Sequence, residues 1–353
     1  MLKNYKLVVI GAGRPRGTDG ATGFGMSHQH VVGFKATGRC ELVAVADINR
    51  ANADAFIREH NPEAKIYADY IELMDRERPD LVSVSLWPHL HAKVVIDVAR
   101  FSPKAIHCEK PMDVDWDACL RMHEACEAAG VQLTFNHQRR FLEPFRRARA
   151  LIDQGALGEL RRMEAAWHNL ADSGTHWLDM LFYFNGETPA EWVLAQVESR
   201  GARQVFGAWQ ESQGVSTFGF KNGVRATMYS GLRHEDLGCM LRVIGSRGTL
   251  EILDQAPWLR LHDFERGGWQ NLDPGESIHD AVATTRAVQD LMDALESGRA
   301  PLLSSHNALR ATEIIFAAYH SSLRRGRVDL PLAPERSALV QLLELGKSGT
   351  LGN

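Results

Sequence analysis

The chain has 353 residues, of which 44% are hydrophobic and 24% are charged, a size and composition that suit two globular domains. Its 40 basic and 44 acidic side chains give a formal net charge of -4, which argues against a general affinity for nucleic acid or anionic membranes. The five cysteines have no CxxC spacing, so we expect neither a disulfide framework nor a zinc site. The first residues carry neither a long apolar run nor a small-residue cleavage site, and we therefore expect a cytoplasmic location.

The first 136 residues alternate short apolar runs with amphipathic segments. Strands are predicted at 5–11, 42–46, 81–86, 105–108 and 132–136. Helices are predicted at 26–36, 50–60, 70–76, 91–100 and 114–129. Apolar strands that alternate with helices indicate a parallel sheet covered on both faces, which is a doubly wound, nucleotide-binding α/β architecture.

The pattern changes near residue 136. Strands are predicted at 159–167, 192–200, 215–220, 225–230, 241–244 and 249–253, and helices at 279–297 and 305–324. Short glycine-containing turns join several of these strands, which indicates an antiparallel or mixed sheet. We therefore predict one domain at 1–136, a second at 137–332 and a C-terminal tail at 333–353.

A glycine motif follows the first strand. Gly11 and Gly13 have the spacing of a tight turn in which the backbone approaches the pyrophosphate of a dinucleotide. Arg16 occupies the place of the third glycine in the G-x-G-x-x-G motif. We interpret Gly25, which begins the next helix, as the displaced third glycine. Residues 14–24 then form an enlarged loop that either adds phosphate contacts or covers the cofactor.

An acidic residue ends the second strand. Asp47 lies 22 residues after Gly25, close to the spacing of about 20 for the acid that binds an adenosine ribose. A carboxylate there repels a 2′-phosphate, so NAD is favoured over NADP as the cofactor. Alternatively, Asp47 only caps the helix that begins near Asn49, although Asn49 can itself cap it. Arg50 is also assigned to the cofactor site, because it could accommodate a phosphate.

An aromatic and histidine-rich segment follows the strand at 81–86, where a doubly wound sheet places ligand contacts. The segment from Trp87 to His91 reads WPHLH, which suits a nicotinamide wall and a proline-initiated helix about equally well. We predict that Pro88 and His91 line the cofactor side. Trp87 and His28, which lies in the first predicted helix, are assigned to the same site.

Glu109, Lys110 and Pro111 directly follow the strand predicted at 105–108. A buried strand that delivers a carboxylate, an ammonium and a conformationally fixed proline in three residues is typical of a site-building element. We expect Lys110 to stabilise a developing alkoxide and Glu109 to anchor the cofactor side. Pro111 would fix the direction of the lysine, through a cis peptide bond in our interpretation.

A histidine flanked by two acids marks the second domain. If residues 172–179 are helical, Asp172, His176 and Asp179 share one face. A histidine held between carboxylates is suited to take the proton of an alcohol while a hydride leaves the same carbon. A solvated helix face would explain the spacing too. We predict no metal, because no partner histidine or cysteine pair stands at ligand spacing.

These residues, in this order, resemble the Gfo/Idh/MocA oxidoreductase family, named after glucose-fructose oxidoreductase and inositol dehydrogenase. The resemblance covers about residues 5–332 and implies an N-terminal Rossmann domain and a C-terminal α/β domain with a large open, mostly antiparallel sheet. It implies a catalytic trio of Lys110, Asp172 and His176, and substrate binding by the trio with Arg140 and Asp179. It also implies homo-oligomers, dimers or tetramers, formed through the C-terminal sheet.

We therefore predict an NAD-dependent oxidoreductase that transfers a hydride between nicotinamide and a secondary alcohol of a sugar, a polyol or inositol, or a glycoside. Two alternatives stay open at this point. One is a glycoside-cleaving enzyme that uses transient oxidation by retained NAD. The other is a non-catalytic sensor that binds NAD.

Overall fold

The computed structural model describes residues 4–231, 234–334 and 336–347. The first elements are β1 (Tyr5–Ile10), α1 (Met26–Ala36), β2 (Cys40–Ala46), α2 (Arg50–His60), β3 (Lys65–Tyr67), α3 (Tyr70–Glu77), β4 (Leu81–Val84), α4 (Pro88–Ala99), β5 (Ala105–Cys108), α5 (Trp116–Ala129) and β6 (Gln132–Phe135). Local signals start several of these helices. The side chains of Asn49 and Asp69 accept backbone N–H groups at the starts of α2 and α3, and Pro88 is the first residue of α4.

The later elements begin with a short 3-10 helix at Gln138–Phe141. They continue as α6 (Glu143–Asp153), β7 (Leu160–Trp167), α7 (Gly174–Phe184), β8 (Ala190–Glu198), β9 (Arg203–Val205), β10 (Ala208–Gln210), β11 (Gln213–Phe220), β12 (Arg225–Ser230), α8 (His234–Leu237), β13 (Leu241–Gly245), β14 (Gly248–Ile252), β15 (Leu259–Asp263), β16 (Trp269–Leu272), α9 (Val282–Ser297), α10 (Ser305–Arg324), β17 (Val328–Asp329) and α11 (Ala338–Lys347).

The chain forms two compact units, and the first contains a six-stranded sheet in the order β3-β2-β1-β4-β5-β6. Every pairing in this sheet is parallel. The strand order reverses between β1 and β4, and open parallel sheets bind ligands at such a switch point, beyond the carboxyl ends of the strands. The predicted doubly wound Rossmann sheet is confirmed.

The first unit includes a segment from late in the chain. It consists of Met1–Val114, Ala118–Gln138 and Ala281–Ala308. The sequence prediction placed 281–308 in the second domain. The packing differs because α9 buries Val288 and its neighbours in the same apolar core as α1.

Two contacts hold α9 against α1 and β2. A Cβ at Gly33 would lie 3.1 Å from a side-chain carbon of Val288, so the glycine lets the two helices approach closely. Arg39, which precedes β2, pairs with Asp293 at 2.8 Å and with Glu296 at 3.0 Å. The late helix is thus an integral part of the first unit.

The second unit contains a nine-stranded sheet in the order β16-β15-β14-β13-β7-β12-β11-β8-β17. Its pairings are antiparallel except for β7 with β12, which is parallel. Helix α7 packs on β7, and α10 is tied to β8 because Ser321 and Ser322 accept the N–H groups of Ala195 and Val197. The predicted C-terminal α/β domain with a large, mostly antiparallel sheet is confirmed.

The region predicted as a C-terminal tail contains α11. Leu339 and Leu342 of this helix are buried, and the backbone N–H of Ser337 donates to Asp115 at 2.7 Å. Residues 348–353 lie outside the described part of the chain. Among the helices that the structure describes, none combines the length and the apolar character needed to cross a bilayer.

Candidate active site

The glycine turn after β1 has the backbone conformation that only glycine adopts readily. Gly11, Gly13 and Gly25 have φ angles of 88°, 57° and 64°. A Cβ at Gly11 would lie 2.5 Å from the carbonyl oxygen of Ser85, and a Cβ at Gly25 would lie 2.5 Å from that of Arg14. A Cβ at Gly13 would meet no atom within 4 Å, so the backbone there is open to an approaching ligand.

Asp47 braces this turn. Its Oδ2 accepts the N–H groups of Ala12 at 2.9 Å and Gly13 at 3.1 Å, while its Oδ1 accepts that of Asn49 at 2.7 Å. The N-cap of α2 is Asn49, whose side chain accepts the N–H of Ala51. The alternative in which Asp47 caps this helix is therefore wrong. Its role as a ribose ligand stays a prediction.

The start of α1 fits the pyrophosphate of a dinucleotide. The N-cap is Gly25, which has no side chain to bond the first backbone N–H groups of the helix. The Ser27 hydroxyl donates to the carbonyl of Ala12, so the helix start is fixed to the glycine turn. Backbone donors at a helix N-terminus beside an open glycine are the arrangement that binds phosphate groups.

The enlarged loop at 14–24 is held mainly by its own residues and by α2. The Arg14 guanidinium donates to the Asn52 side chain at 2.8 Å and to the Asp19 carbonyl at 3.0 Å. Arg16 lies over the ring of Phe24, with 4.8 Å between the guanidinium carbon and the ring centroid. These contacts engage both arginines within the N-terminal unit.

Two residues assigned to the cofactor site have partners on α2. Arg50 is exposed and pairs with Asp54 at 3.0 Å, one helical turn along α2. His28 is buried, with its Nδ1 3.1 Å from Glu59 Oε2 and 2.9 Å from His60 Nε2. His28 also has a hydrogen bond with the backbone of Gly13, so it contacts both the end of α2 and the glycine turn.

The segment after β4 divides into an exposed and a buried part. Trp87 precedes α4 and is 44% exposed, whereas Pro88 is buried at the first helical position. His91 has no exposed surface, and its Nδ1 and Nε2 lie 2.8 and 3.0 Å from the carbonyl oxygens of Pro111 and Leu86. Burial lowers the pKa of His91, although the backbone carbonyls oppose this effect. His91 therefore supports the Pro111 turn and presents no atom to a ligand.

Glu109 lies in a buried polar network at the end of β5. Its Oε1 is 2.9 Å from His30 Nε2 and accepts the Asn136 amide at 2.7 Å. Burial raises the pKa of Glu109, but the hydrogen bond and charge of His30, with the charge of Lys110, outweigh burial and lower it to about 2. Glu109 is therefore a buried carboxylate that holds its neighbours in place, and its role as an anchor on the cofactor side stays a prediction.

Lys110 and Pro111 are joined by a cis peptide bond, which confirms the sequence interpretation. The backbone N–H of Lys110 donates to Glu109 Oε2 at 3.3 Å, and the Lys110 side chain is partly buried. Because β1, β4 and β5 are parallel neighbours, this turn lies at the same sheet edge as the glycine turn and the segment after β4. The structure thus brings these three predicted parts together.

In the second unit, helix α7 begins at Gly174, so Asp172 precedes the helix. The Asn169 side chain accepts the N–H groups of Asp172 at 2.9 Å and Ser173 at 3.0 Å. A Cβ at Gly174 would lie 2.1 Å from the Asn169 carbonyl oxygen, which requires glycine. The expectation that Asp172 shares a helix face with His176 and Asp179 is therefore wrong. Asp172 lies on a turn shaped by Asn169, and His176 is buried in the first turn of α7.

The assignment of Arg140 and Asp179 to substrate binding is also corrected. Their side chains are 1% exposed and form a two-point ion pair, with Arg140 Nε and Nη2 2.8 and 2.7 Å from the Asp179 carboxylate. Arg140 also pairs with Glu187. Burial lowers the pKa of Arg140, but the charge of Asp179 outweighs it and raises the pKa above its usual value. The pair joins the 3-10 helix to α7 within the core.

Sequence reasoning missed several residues that build these surroundings. His30 and Asn136 hold Glu109, and Gln210 and Glu211 accept the N–H groups of Asp172 at 3.3 Å and Leu170 at 2.6 Å. Asn136 is the last residue of the strand predicted at 132–136, and polar residues at the carboxyl ends of parallel strands are candidates for a site, as Asp47 was. Nothing local in the sequence distinguishes the others.

Comparison with protein families matches two consecutive models. Residues 5–137 match a model described as oxidoreductase family, NAD-binding Rossmann fold. Residues 165–330 match a model described as oxidoreductase family, C-terminal alpha/beta domain. Together the two models cover the first sheet and, apart from the start of β7, the second sheet.

A curated relative, inositol 2-dehydrogenase from Burkholderia multivorans, is 31% identical over 169 residues. The match covers 44% of this chain and 49% of that protein, so the chain spans about half the length of this relative. An inositol 2-dehydrogenase from Ralstonia nicotianae is 30% identical over 172 residues, again 49% of its length.

Solved structures with low sequence identity have the same fold. An oxidoreductase from Agrobacterium radiobacter in complex with NAD+, L-tartaric acid and magnesium has a TM-score of 0.77 at 17% identity, over 93% of this chain and 98% of that one. The WlbA dehydrogenase from Bordetella pertussis in complex with NADH and UDP-GlcNAcA has a TM-score of 0.73 at 20% identity, over 94% of this chain and all of that one.

Proposed function

Since the chain belongs to the Gfo/Idh/MocA oxidoreductase family, we propose that it is an NAD-dependent dehydrogenase acting on a secondary alcohol of a sugar, a polyol or a glycoside. The observation that carries the proposal is the turn at Glu109, Lys110 and Pro111, which lies at the carboxyl edge of the parallel sheet beside the glycine turn. A lysine at that edge can stabilise a developing alkoxide next to a bound nicotinamide cofactor.

Residues of the first unit would hold the cofactor and stabilise charge. Gly11, Gly13 and the start of α1 would bind the pyrophosphate, and Asp47 would accept the ribose hydroxyls. When bound, NAD supplies the acceptor for a hydride from the carbinol carbon. The Lys110 ammonium would stabilise the alkoxide that develops on the substrate oxygen, and Glu109 and His91 would fix the turn that carries the lysine.

Residues of the second unit would move the proton. His176 would act as general base and take the proton of the substrate hydroxyl as the hydride leaves the same carbon. Asp172 would bind neighbouring hydroxyls and orient the imidazole. The hydrogen bonds from the backbone of Asp172 and Ser173 to Asn169 support this role, because they fix the turn on which the acid lies.

A substrate screen with matched variants tests the proposal. The native chain is mixed with sugars and inositols, with NAD and NADP in parallel, and NADH absorbance is followed. On the substrate found, His176→Ala should lower kcat by about 10² to 10⁴ at neutral pH. His262→Gln, a control on β15, should leave the rate unchanged. If His176→Ala retains full hydride transfer, His176 is not the base.

The names of the relatives support inositol or a similar cyclic polyol as the first class to test. The two curated relatives named above are inositol 2-dehydrogenases, although each match spans only about half of that relative's length. A solved levoglucosan dehydrogenase in complex with NADH and levoglucosan has a TM-score of 0.77 at 18% identity, over 94% of this chain and all of that one. Ring substrates with adjacent secondary hydroxyls should therefore be tested before linear alcohols.

The same screen separates the two other candidates when glycosides are added to the panel and their cleavage products are measured. One NADH released per turnover indicates a dehydrogenase. Glycoside cleavage that needs NAD but leaves it unreduced would indicate transient oxidation by a retained cofactor. NAD binding without any reaction across the panel would indicate a sensor.

We also propose that copies of the chain associate through the exposed face of the second sheet. Leu194 on β8 and Val215 on β11 are 51% and 43% exposed. Exposed apolar residues on neighbouring strands favour burial against a second copy. Sedimentation velocity of Val215→Glu should show a smaller species than the native chain. Ile48→Glu, in the first unit, should not.

We further propose a cytoplasmic location. All five cysteines are thiols, and four of them are buried. Thiols without disulfides suit a reducing compartment. Fractionation of cells that produce the native protein would test this location.

A further inference from the structure

Three metal-ligand side chains meet in the first unit, apart from the turn that carries Lys110. His28 lies in the first turns of α1, and Glu59 and His60 are the last two residues of α2. The ligand atoms of all three lie within 4.8 Å of one another. Both histidines are buried, whereas the Glu59 side chain is 54% exposed.

The distances within this group are near those between neighbouring ligand atoms around a metal ion. His28 Nδ1 lies 2.9 Å from His60 Nε2 and 3.1 Å from Glu59 Oε2, and His60 Nε2 lies 3.8 Å from Glu59 Oε1. With metal–ligand bonds of about 2.0 to 2.2 Å, ligand atoms of a tetrahedral zinc site are roughly 3.3 Å apart. One oxygen of the half-exposed Glu59 side chain would have to turn toward both imidazoles to complete the set, because the ligand atoms lie within 4.8 Å of one another.

The surroundings hold the ligands in place. The His28 and His60 rings both pack against Phe56, with centroid distances of 4.7 and 4.6 Å. Lys35 donates to the backbone carbonyl of His60 at 2.7 Å, which ties the end of α2 to α1. A packed aromatic residue and a tied backbone restrict ring movement, so little ordering is left for an ion to impose.

We propose that His28, Glu59 and His60 bind a zinc ion that joins the start of α1 to the end of α2. Two imidazoles and one carboxylate are ligands typical of zinc, and water would fill the fourth position from the exposed side of Glu59. Magnesium and calcium prefer sets of oxygen ligands. Because α1 begins at the glycine turn, the ion would also stiffen the helix start that faces the cofactor's phosphates.

Metal titration of the full chain tests this site. The protein is stripped with a chelator and titrated with Zn²⁺ by calorimetry, with Mg²⁺ as the comparison ion. We expect one Zn²⁺ per chain and no stoichiometric Mg²⁺. Co²⁺ should give the visible absorption of a four-coordinate ion. Zn²⁺ should raise the unfolding temperature of the native chain.

Three variants identify the ligands among the 15 histidines of the chain. His60→Gln should lose stoichiometric binding, and Glu59→Gln should weaken it at least 10-fold. His123→Gln, a control in the same unit, should bind as the native chain does. Glu59 is half exposed, so its variant should fold even if His60→Gln does not. Absence of stoichiometric Zn²⁺ binding by the native chain, or equal affinity in Glu59→Gln and His123→Gln, would overturn the proposal.

Discussion

Replacement of Glu109 by glutamine should destabilise the first unit by an amount that depends on pH. Glu109→Gln keeps the shape of the side chain but removes its charge. In the native chain that charge faces His30 and the Asn136 amide, and it interacts with Lys110. The variant therefore removes the ionised state that these groups stabilise.

The magnitude follows from the pKa of Glu109. Folding lowers it from 4.5 to about 2, and each pKa unit corresponds to about 1.4 kcal/mol, so ionised Glu109 contributes about 3 kcal/mol at pH 7. A carboxyl whose folded pKa is depressed stabilises the protein above its unfolded pKa and loses this contribution as pH falls through the folded value. Roughly half of it should remain at pH 3.

Urea unfolding of both proteins at pH 7, 5 and 3 measures this difference. Hydrogen exchange of peptides from β4 and β5 reports the first unit separately from the second. Glu63→Gln, at an exposed site in the same unit, is the control and should change the free energy of unfolding by less than about 0.5 kcal/mol. The reasoning fails if Glu109→Gln behaves like the control, or if its deficit is as large at pH 3 as at pH 7.

Three further predictions concern the glycine turn, the buried ion pair and the cofactor. Gly25→Ala should lower the unfolding temperature and NADH affinity more than Gly38→Ala, since both have positive φ but only Gly25 has a close backbone neighbour; equal effects would contradict this. Arg140→Gln should destabilise the second unit by about 3 to 5 kcal/mol in urea unfolding, because it leaves the buried Asp179 carboxylate unpaired, whereas Arg146→Gln on the exposed face of α6 should be nearly neutral. Asp47→Ala should raise kcat/KM with NADP relative to NAD, and an unchanged ratio would remove Asp47 from ribose recognition.

The parts of the fold that local signals specify were predicted closely. The bounds of α1, α2 and α10 match the predicted helices, because apolar spacing and end signals such as Gly25 and Asn49 mark them. Strands β15 and β16 were missed because they are short and partly exposed, so they lack a continuous apolar run. The position of α9 depends on which core it joins, which its own sequence does not specify.

The candidate site shows the same division between local and distant contacts. The turn at Lys110 was found because its three residues are consecutive. Arg140 and Asp179 are 39 residues apart in the sequence and pair only in the fold, so no local pattern shows that they are buried. The prediction of no metal considered cysteine pairs and ligands near His176. It did not consider His28 and His60, because they are 32 residues apart in the sequence and lie together only in the fold.

The place of α9 in the first unit has a consequence for biosynthesis. The six parallel strands leave the ribosome long before Val282–Ser297 is made, so the surface of α1 around Gly33 stays uncovered while the second sheet is being translated. A fragment that ends after β6 would lack Val288 and its neighbours and should aggregate or bind chaperones. Supplying α9 early, by a circular permutation that places it before β1, should let the nucleotide-binding unit mature first.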